Sequence, residues 1–323
     1  MSFSCAFRAS SWLPNGHWET FWAPILTPVP RLPYRREVWS TPDSDRIAAD
    51  WVDGPKDRPI VVLFHGLASS SRGHYAQALA RELRSTGWRG CFINFRGCGG
   101  LPNLQPRSYH AGDSPEIAWI LDRIRQDHPA VPLYAVGVSL GGNVLLKYLG
   151  ETGQSAPLDS AAAVCAPVDL PATAEYLEQG YLQFYHRHFL FHLKRGMGYY
   201  RRHFPGMADW NRAARARTLR EFDDAFTAPV HGFSSVQNYW EQSSSGPFLQ
   251  RIRIRCLLIN SRNDPIVPID QVRQWTAGTR LRTCFTSQGG HVGYVQGSFP
   301  GNLRWLPQAL LRFFQGDEPD EEA

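Results

Sequence analysis

Apolar positions along this chain recur with two different periods. In "PIVVLFHG", "GCFINFRG", "PLYAVG", "SAAAVCAPVDL", "CLLINSRNDP" and "RTCFTSQGGH" they form short, nearly unbroken runs. Such runs predict strands covered on both faces. In "YAQALARELRSTG", "SPEIAWILDRIRQDHP", "NVLLKYLGE", "IDQVRQWTAG" and "RWLPQALLRFFQ" apolar residues return every three or four positions, which is helical spacing. Gly87 closes the first of these helices as a C-cap, and Ser114 with Pro115 opens the second. "RREVWST" and "DRIAADWVD", joined by the turn-rich "PDS", predict a hairpin. Alternating strands and helices predict a mostly parallel sheet with helices on both faces, and the hairpin gives it an antiparallel N-terminal edge. After Val168 the alternation stops, and the long stretch that follows is read as a helical cap. The expected organisation is an N-terminal extension over 1–34, a core in two parts over 35–169 and 236–316, a cap over 170–235 and a disordered acidic tail over 317–323.

Composition narrows the class. The 323 residues are 43% apolar and 13% aromatic, enough for one large α/β core. No apolar run approaches the length of a membrane span, and "MSFSCAFRASSWLPNGHW" lacks the apolar stretch of a secretory signal. The six cysteines include no C-x-x-C, and Cys91, Cys256 and Cys284 fall in strand runs where buried free thiols are common. The expected location is therefore the cytoplasm, with room for peripheral contact with the inner face of a membrane. The net charge of +5 is unevenly spread. Five acids and no base lie in the tail "GDEPDEEA", whereas Tyr176 to Arg220 holds nine Lys and Arg against two acids.

One turn carries the chemistry. "GVSLGG" sets Ser139 between the strand "PLYAVG" and the helix "NVLLKYLGE". Glycines two residues before and after one serine, in a strand–turn–helix context, mark a nucleophile elbow. The turn lifts the hydroxyl clear of the sheet and puts the Leu140 N–H at a helix N-terminus, where a developing oxyanion is stabilised. A serine needs a base, and the base needs an orienting acid. His291 in "QGGHVGYV" follows the last strand, and Gly289 and Gly290 let that loop bend back. His17, His110 and His231 lie outside the expected topological position. The favoured acid is Asp264 in "NSRNDPIVP", a position that also suits an Asx turn. Asp169 in "CAPVDL" is the competing acid. The second oxyanion donor is the Leu67 N–H in "FHGLASSS", where His65 is expected to brace the loop.

With these residues in place, the chain resembles the YheT-like branch of the α/β-hydrolase superfamily, the AB hydrolase 4 family. The matching motifs are "NGHWETFW", "HGLASSSRGHY", "NFRGCGGLPN", "RSYHAGD", "GVSLGGNVLLKYLGE", "TAPVHGF", "NSRNDPIVP" and "GGHVG", from Asn15 to Gly293. The resemblance implies an α/β-hydrolase fold with a helical cap insertion. It carries the triad onto Ser139, Asp264 and His291, and implies hydrolysis of lipid-like acyl esters without a cofactor. Two positions depart from the family pattern: Ser69 stands where the family usually has Gly, and Glu19 where it usually has Gln.

Other readings compete with a carboxylic ester hydrolase. The same triad serves thioesterases and amidases, and a non-catalytic ligand-binding relative would keep the fold. No metal is expected, because no H-E-x-x-H pattern accompanies His186, His188 and His192. "RGCGG" lacks the form of a phosphate loop, and no nucleic-acid motif or obligate protein partner is evident. The expected partners are a small or lipid-like ester and an anionic membrane surface touched through the basic, aromatic cap.

Overall fold

The computed structural model describes residues 2–3, 5 and 7–319. Eight strands form one sheet: β1 (Arg35–Ser40), β2 (Arg46–Val52), β3 (Ile60–Phe64), β4 (Arg89–Asn94), β5 (Leu133–Val138), β6 (Ser160–Val164), β7 (Arg255–Ser261) and β8 (Arg282–Thr286). Their spatial order is β1-β2-β4-β3-β5-β6-β7-β8. The β1–β2 hairpin is antiparallel, and so is β2 against β4. All remaining pairs are parallel.

The unbroken apolar runs are explained by this sheet. Along β3, Ile60, Val62 and Phe64 enter one core and Val61 and Leu63 the other. Successive side chains point to opposite faces, so a strand covered on both sides has no polar phase. Each such side chain contributes on the order of 1.5–3 kcal/mol by leaving water.

Helices α1 (Gly16–Ile25), α2 (His74–Thr86), α3 (Ser114–Asp127), α4 (Leu140–Thr152), α5 (Leu170–Leu177) and α6 (Gln183–His203) follow in chain order. Helix α2 stops at Gly87, whose φ of 72° is left-handed, as expected for a glycine C-cap. Helix α3 begins at Ser114 itself, with Asp113 in the flanking position expected of Ser114. Helix α4 is buried from Gly141 to Gly150, at the centre of the molecule. Between β6 and β7 all regular elements are helical, from Leu170 to Arg251. This cap has a core of its own, built around Leu190, Met197, Trp210, Phe222 and Phe226. Among the described residues no helix is long and apolar enough to cross a membrane.

Two expectations are corrected. Cys284, read as a buried free thiol, is bonded to Cys5 across 279 residues. The N-terminal segment lies beside β8, so two cysteines remote in sequence meet, and cysteine usage no longer argues for a reducing compartment. The acidic tail is docked where it is described. Glu318 and Pro319 pair with Ser2 and Phe3. The Glu318 carboxylate accepts from Arg255 at 3.1 Å and Arg282 at 2.7 Å. Its remainder, 320–323, lies outside the described residues.

Candidate active site

Ser139 occupies the turn from β5 to α4 with φ 53° and ψ −120°. That backbone is costly for a residue with a Cβ, by about 1–3 kcal/mol, and persists because its surroundings leave no alternative. The neighbouring glycines show why. A Cβ on Gly137 would sit 2.4 Å from the Gly141 carbonyl oxygen, and one on Gly141 would sit 2.3 Å from that of Phe64. Side chains at either place would push α4 off the strand ends. The Ser139 N–H donates to the Val164 carbonyl at 2.8 Å, fixing the turn to β6.

The sheet brings the three predicted side chains together. His291 Nε2 lies 3.0 Å from Ser139 Oγ, and its Nδ1 lies 2.8 Å from Asp264 Oδ2. Asp264 divides its oxygens between two tasks. Oδ1 accepts from the N–H groups of Ile266 at 2.8 Å and Val267 at 3.0 Å, which is the Asx turn. Oδ2 is left for the histidine. Asp169 does not reach the site: its Oδ1 caps α5 at the Ala172 N–H, and its Oδ2 accepts from Trp275 Nε1.

Leu67 and Leu140 both line the cavity above Ser139. Neither N–H has an acceptor among the described residues. Gly66 packs close to Ser139, leaving 3.2 Å from an added Cβ to the serine Cβ. His65 braces this loop. Its Nε2 accepts from the Phe95 N–H at 3.1 Å, so Nδ1 carries the proton and donates to the Gly66 carbonyl at 2.7 Å. Burial pushes the His65 pKa down to about 4, so this brace stays neutral near pH 7. Ser69 accepts from the Tyr75 hydroxyl at 3.0 Å, and that hydroxyl in turn accepts from the Gly66 N–H at 2.9 Å.

The roles of Glu19, Thr20 and Asn263, which hold the histidine loop, escaped the sequence reading. Asn15 caps α1 by accepting from the N–H groups of His17 and Trp18. The inner face of that helix then meets the loop. Fully buried Glu19 accepts through Oε2 from the Gly289 N–H at 2.6 Å and Asn263 Nδ2 at 3.1 Å. Asn263 Oδ1 accepts from the Gly290 N–H at 3.0 Å, and Thr20 Oγ1 from the His291 N–H at 2.9 Å. Among the described residues, Glu19 Oε1 is buried without a hydrogen-bond partner. Burial pushes the Glu19 carboxyl up, against the Gly289 N–H, which pulls it down. The N-cap at Asn15 was a legible signal for the helix. The partners of Glu19 were not, being 244 and 270 residues away.

Removing this clamp is expected to loosen His291. Glu19→Ala leaves two buried donors without an acceptor, and a displacement near 1 Å at a reacting group can cost about a hundredfold. Turnover of a soluble ester should fall by roughly ten- to a hundredfold in kcat with little change in KM. Glu19→Gln keeps an oxygen for both donors and should restore most of the rate. Steady-state kinetics on the two variants decides it, and an alanine variant with wild-type kcat would refute the clamp.

Among the described residues, one group of three metal-ligating types converges: Cys165, Asp264 and His291. Asp264 and His291 are hydrogen-bonded to each other, and burial raises the Cys165 thiol far above its ordinary pKa. An ion there would have to break the bond that orients His291.

Above Ser139 lies a cavity of about 850 Å³ between core and cap. Its walls include Leu170, Leu177, Phe189, Met197, Phe222 and Ile266. Polar groups also line it, His110 among them. The His110 ring packs 4.3 Å from that of His231, and burial pushes each to a pKa of about 3.

Comparison with known proteins places these features in context. A family model described as alpha/beta hydrolase fold matches residues 59–298. YheT of Escherichia coli (strain K12), whose name marks it as a candidate esterase, is 34% identical over 88% of both chains. Human phospholipase ABHD3 is 28% identical over 94% of this chain and 77% of its own length. The solved structure of the Pyrococcus furiosus esterase PF2001 superposes with a TM-score of 0.59 over 90% of this chain and 97% of that one. At 18% identity that likeness concerns the fold alone.

Proposed function

The chain belongs to the alpha/beta hydrolase fold family, and on that premise we propose that it is a serine hydrolase of carboxylic esters. The observation that carries this reading is the relay Ser139 Oγ–His291 Nε2 at 3.0 Å and His291 Nδ1–Asp264 at 2.8 Å. His291 takes the Ser139 proton as Oγ attacks the ester carbonyl, while Asp264 holds the proton-bearing Nδ1 and stabilises the imidazolium. The oxyanion accepts from the N–H groups of Leu67 and Leu140. Collapse of the tetrahedral intermediate expels the alcohol, which takes its proton from His291. Water, activated by the same histidine, then releases the acid.

The cavity supports an acyl chain of short to medium length as the group recognised. It is mostly apolar, and its volume falls in the range of small-molecule sites. Relatives named as an esterase and a phospholipase support esters over the thioesters and amides that the same triad could cleave, and acylglycerols fall within the esters proposed here.

A panel of p-nitrophenyl esters of increasing chain length, with matched thioesters and anilides, tests the proposal. Each buried methylene is worth up to about 0.8 kcal/mol, so kcat/KM should climb severalfold or more from acetate to octanoate. Fluorophosphonate labelling should block Ser139. A protein that neither turns over any ester nor takes the label would instead be a ligand-binding relative.

A further inference from the structure

The cap helix α6 has two faces of opposite character. Inward, Phe189, Leu193, Met197 and Tyr200 line the cavity. Outward, positions 184, 187, 188, 191, 195 and 202 fall on one stripe by helical spacing, and all are exposed. That stripe reads Phe184, Arg187, His188, Phe191, Arg195 and Arg202, with no acid in it. Phe184 and Phe191 are 57% and 62% exposed. The three arginines form no ion pair among the described residues. By contrast, Lys194 lies off this stripe and donates to the carbonyls of Ala214 and Ala216, so only part of the cap's basic charge faces outward.

Helix α1 continues the surface. Its inner face is the Glu19 clamp, and its outer face carries Trp18 and Ile25, 52% and 70% exposed, with Trp22 one turn from Trp18. Phe21 joins the two helices by an edge contact with Phe184 at 5.3 Å. On the other side Trp22 packs on Phe299, itself 70% exposed. A surface helix ordinarily turns its apolar side inward, so an outward stripe of this kind calls for a partner.

We propose that the joined outer faces of α1 and α6 seat this protein on anionic lipid bilayers. Tryptophan and phenylalanine rings favour the headgroup boundary, and interleaved arginines are drawn to negative lipid. Charge also decides between a membrane and a second copy of the chain. A two-fold contact sets the same patch against itself, which would bring cation onto cation with no acid to relieve it. Seated this way, α6 separates the bilayer from the cavity by one helix diameter, about 10 Å. The bond-making residues take no part, so this inference stands or falls separately from the esterase reading.

Co-sedimentation with vesicles of phosphatidylcholine alone, and of phosphatidylcholine with phosphatidylglycerol, at low and high salt tests it. The full chain should sediment with the anionic vesicles at low salt and much less at high salt, since exposed charges are screened beyond about 8–10 Å. Replacing Arg187, Arg195 and Arg202 together by glutamine should weaken binding about a hundredfold, each cation being worth roughly fivefold at such a surface. Trp18→Ser with Ile25→Ser should weaken it while leaving turnover of p-nitrophenyl acetate intact, which shows that the variant is folded. Ser139→Ala should bind as the wild type does. Absence of binding at low salt, or undiminished binding by the arginine variant, would overturn the proposal. A concentration-dependent dimer broken by Trp18→Ser, without vesicle binding, would assign the face to a second copy instead.

Discussion

Alanine at position 139 is expected to abolish ester hydrolysis in a chain that still folds. The substitution removes one oxygen and leaves the His291–Asp264 hydrogen bond, the Leu67 and Leu140 N–H groups and the cavity in place. Serine already holds the strained φ of 53° with a Cβ, so alanine meets no new steric conflict there. In triads that act as a unit, loss of the nucleophile costs on the order of a millionfold in kcat. Turnover of p-nitrophenyl butyrate should therefore drop to the level set by the oxyanion site alone, with circular dichroism and the unfolding midpoint close to wild type. A folded Ser139→Ala protein with substantial turnover would sink the assignment.

The second large effect separates two aspartates. Asp264→Asn keeps an oxygen for the Ile266 and Val267 N–H groups, so the Asx turn survives. It also sets an amide N–H₂ against His291 Nδ1, which turns the imidazole to the tautomer that cannot accept the serine proton. An orienting acid replaced in this way costs about ten-thousandfold in kcat. Asp169→Asn should cost less than about tenfold, because its carboxylate caps α5 and meets Trp275 and does not touch His291. Measuring kcat for both variants on one substrate gives the ranking, and the reverse order would refute the choice of acid.

Much of this architecture was legible because it is built from local signals. Unbroken apolar runs revealed the strands, three-to-four spacing the helices, and Gly87 the end of α2. The elbow was legible because its two glycines flank Ser139 within five residues of chain, although the contact that excludes a side chain at Gly141 comes from Phe64 at the end of β3. Asp264 was harder, since its turn role and its role toward His291 look identical in sequence. Each uses a different oxygen of the same carboxylate, and both are present. Asn15 is a missed local signal: a side-chain N-cap opened α1 where only an extension was expected.

The remainder rests on pairings between parts of the chain too far apart for periodicity to report. Glu19 meets Gly289 across 270 residues, and Cys5 meets Cys284 across 279. Neither partner carries a pattern that names the other. The cap shows the same division at the level of a surface. Nine basic residues and many aromatics were countable in the sequence, but their helical phase relative to the core was not. Packing turned Met197 and Tyr200 to the cavity, drew Lys194 onto neighbouring carbonyls, and left Arg187, Arg195 and Arg202 facing outward. Short-range order follows from backbone sterics and side-chain period. Long-range contact follows from the closing of the sheet, which sets the N-terminal helix against the loop that carries His291.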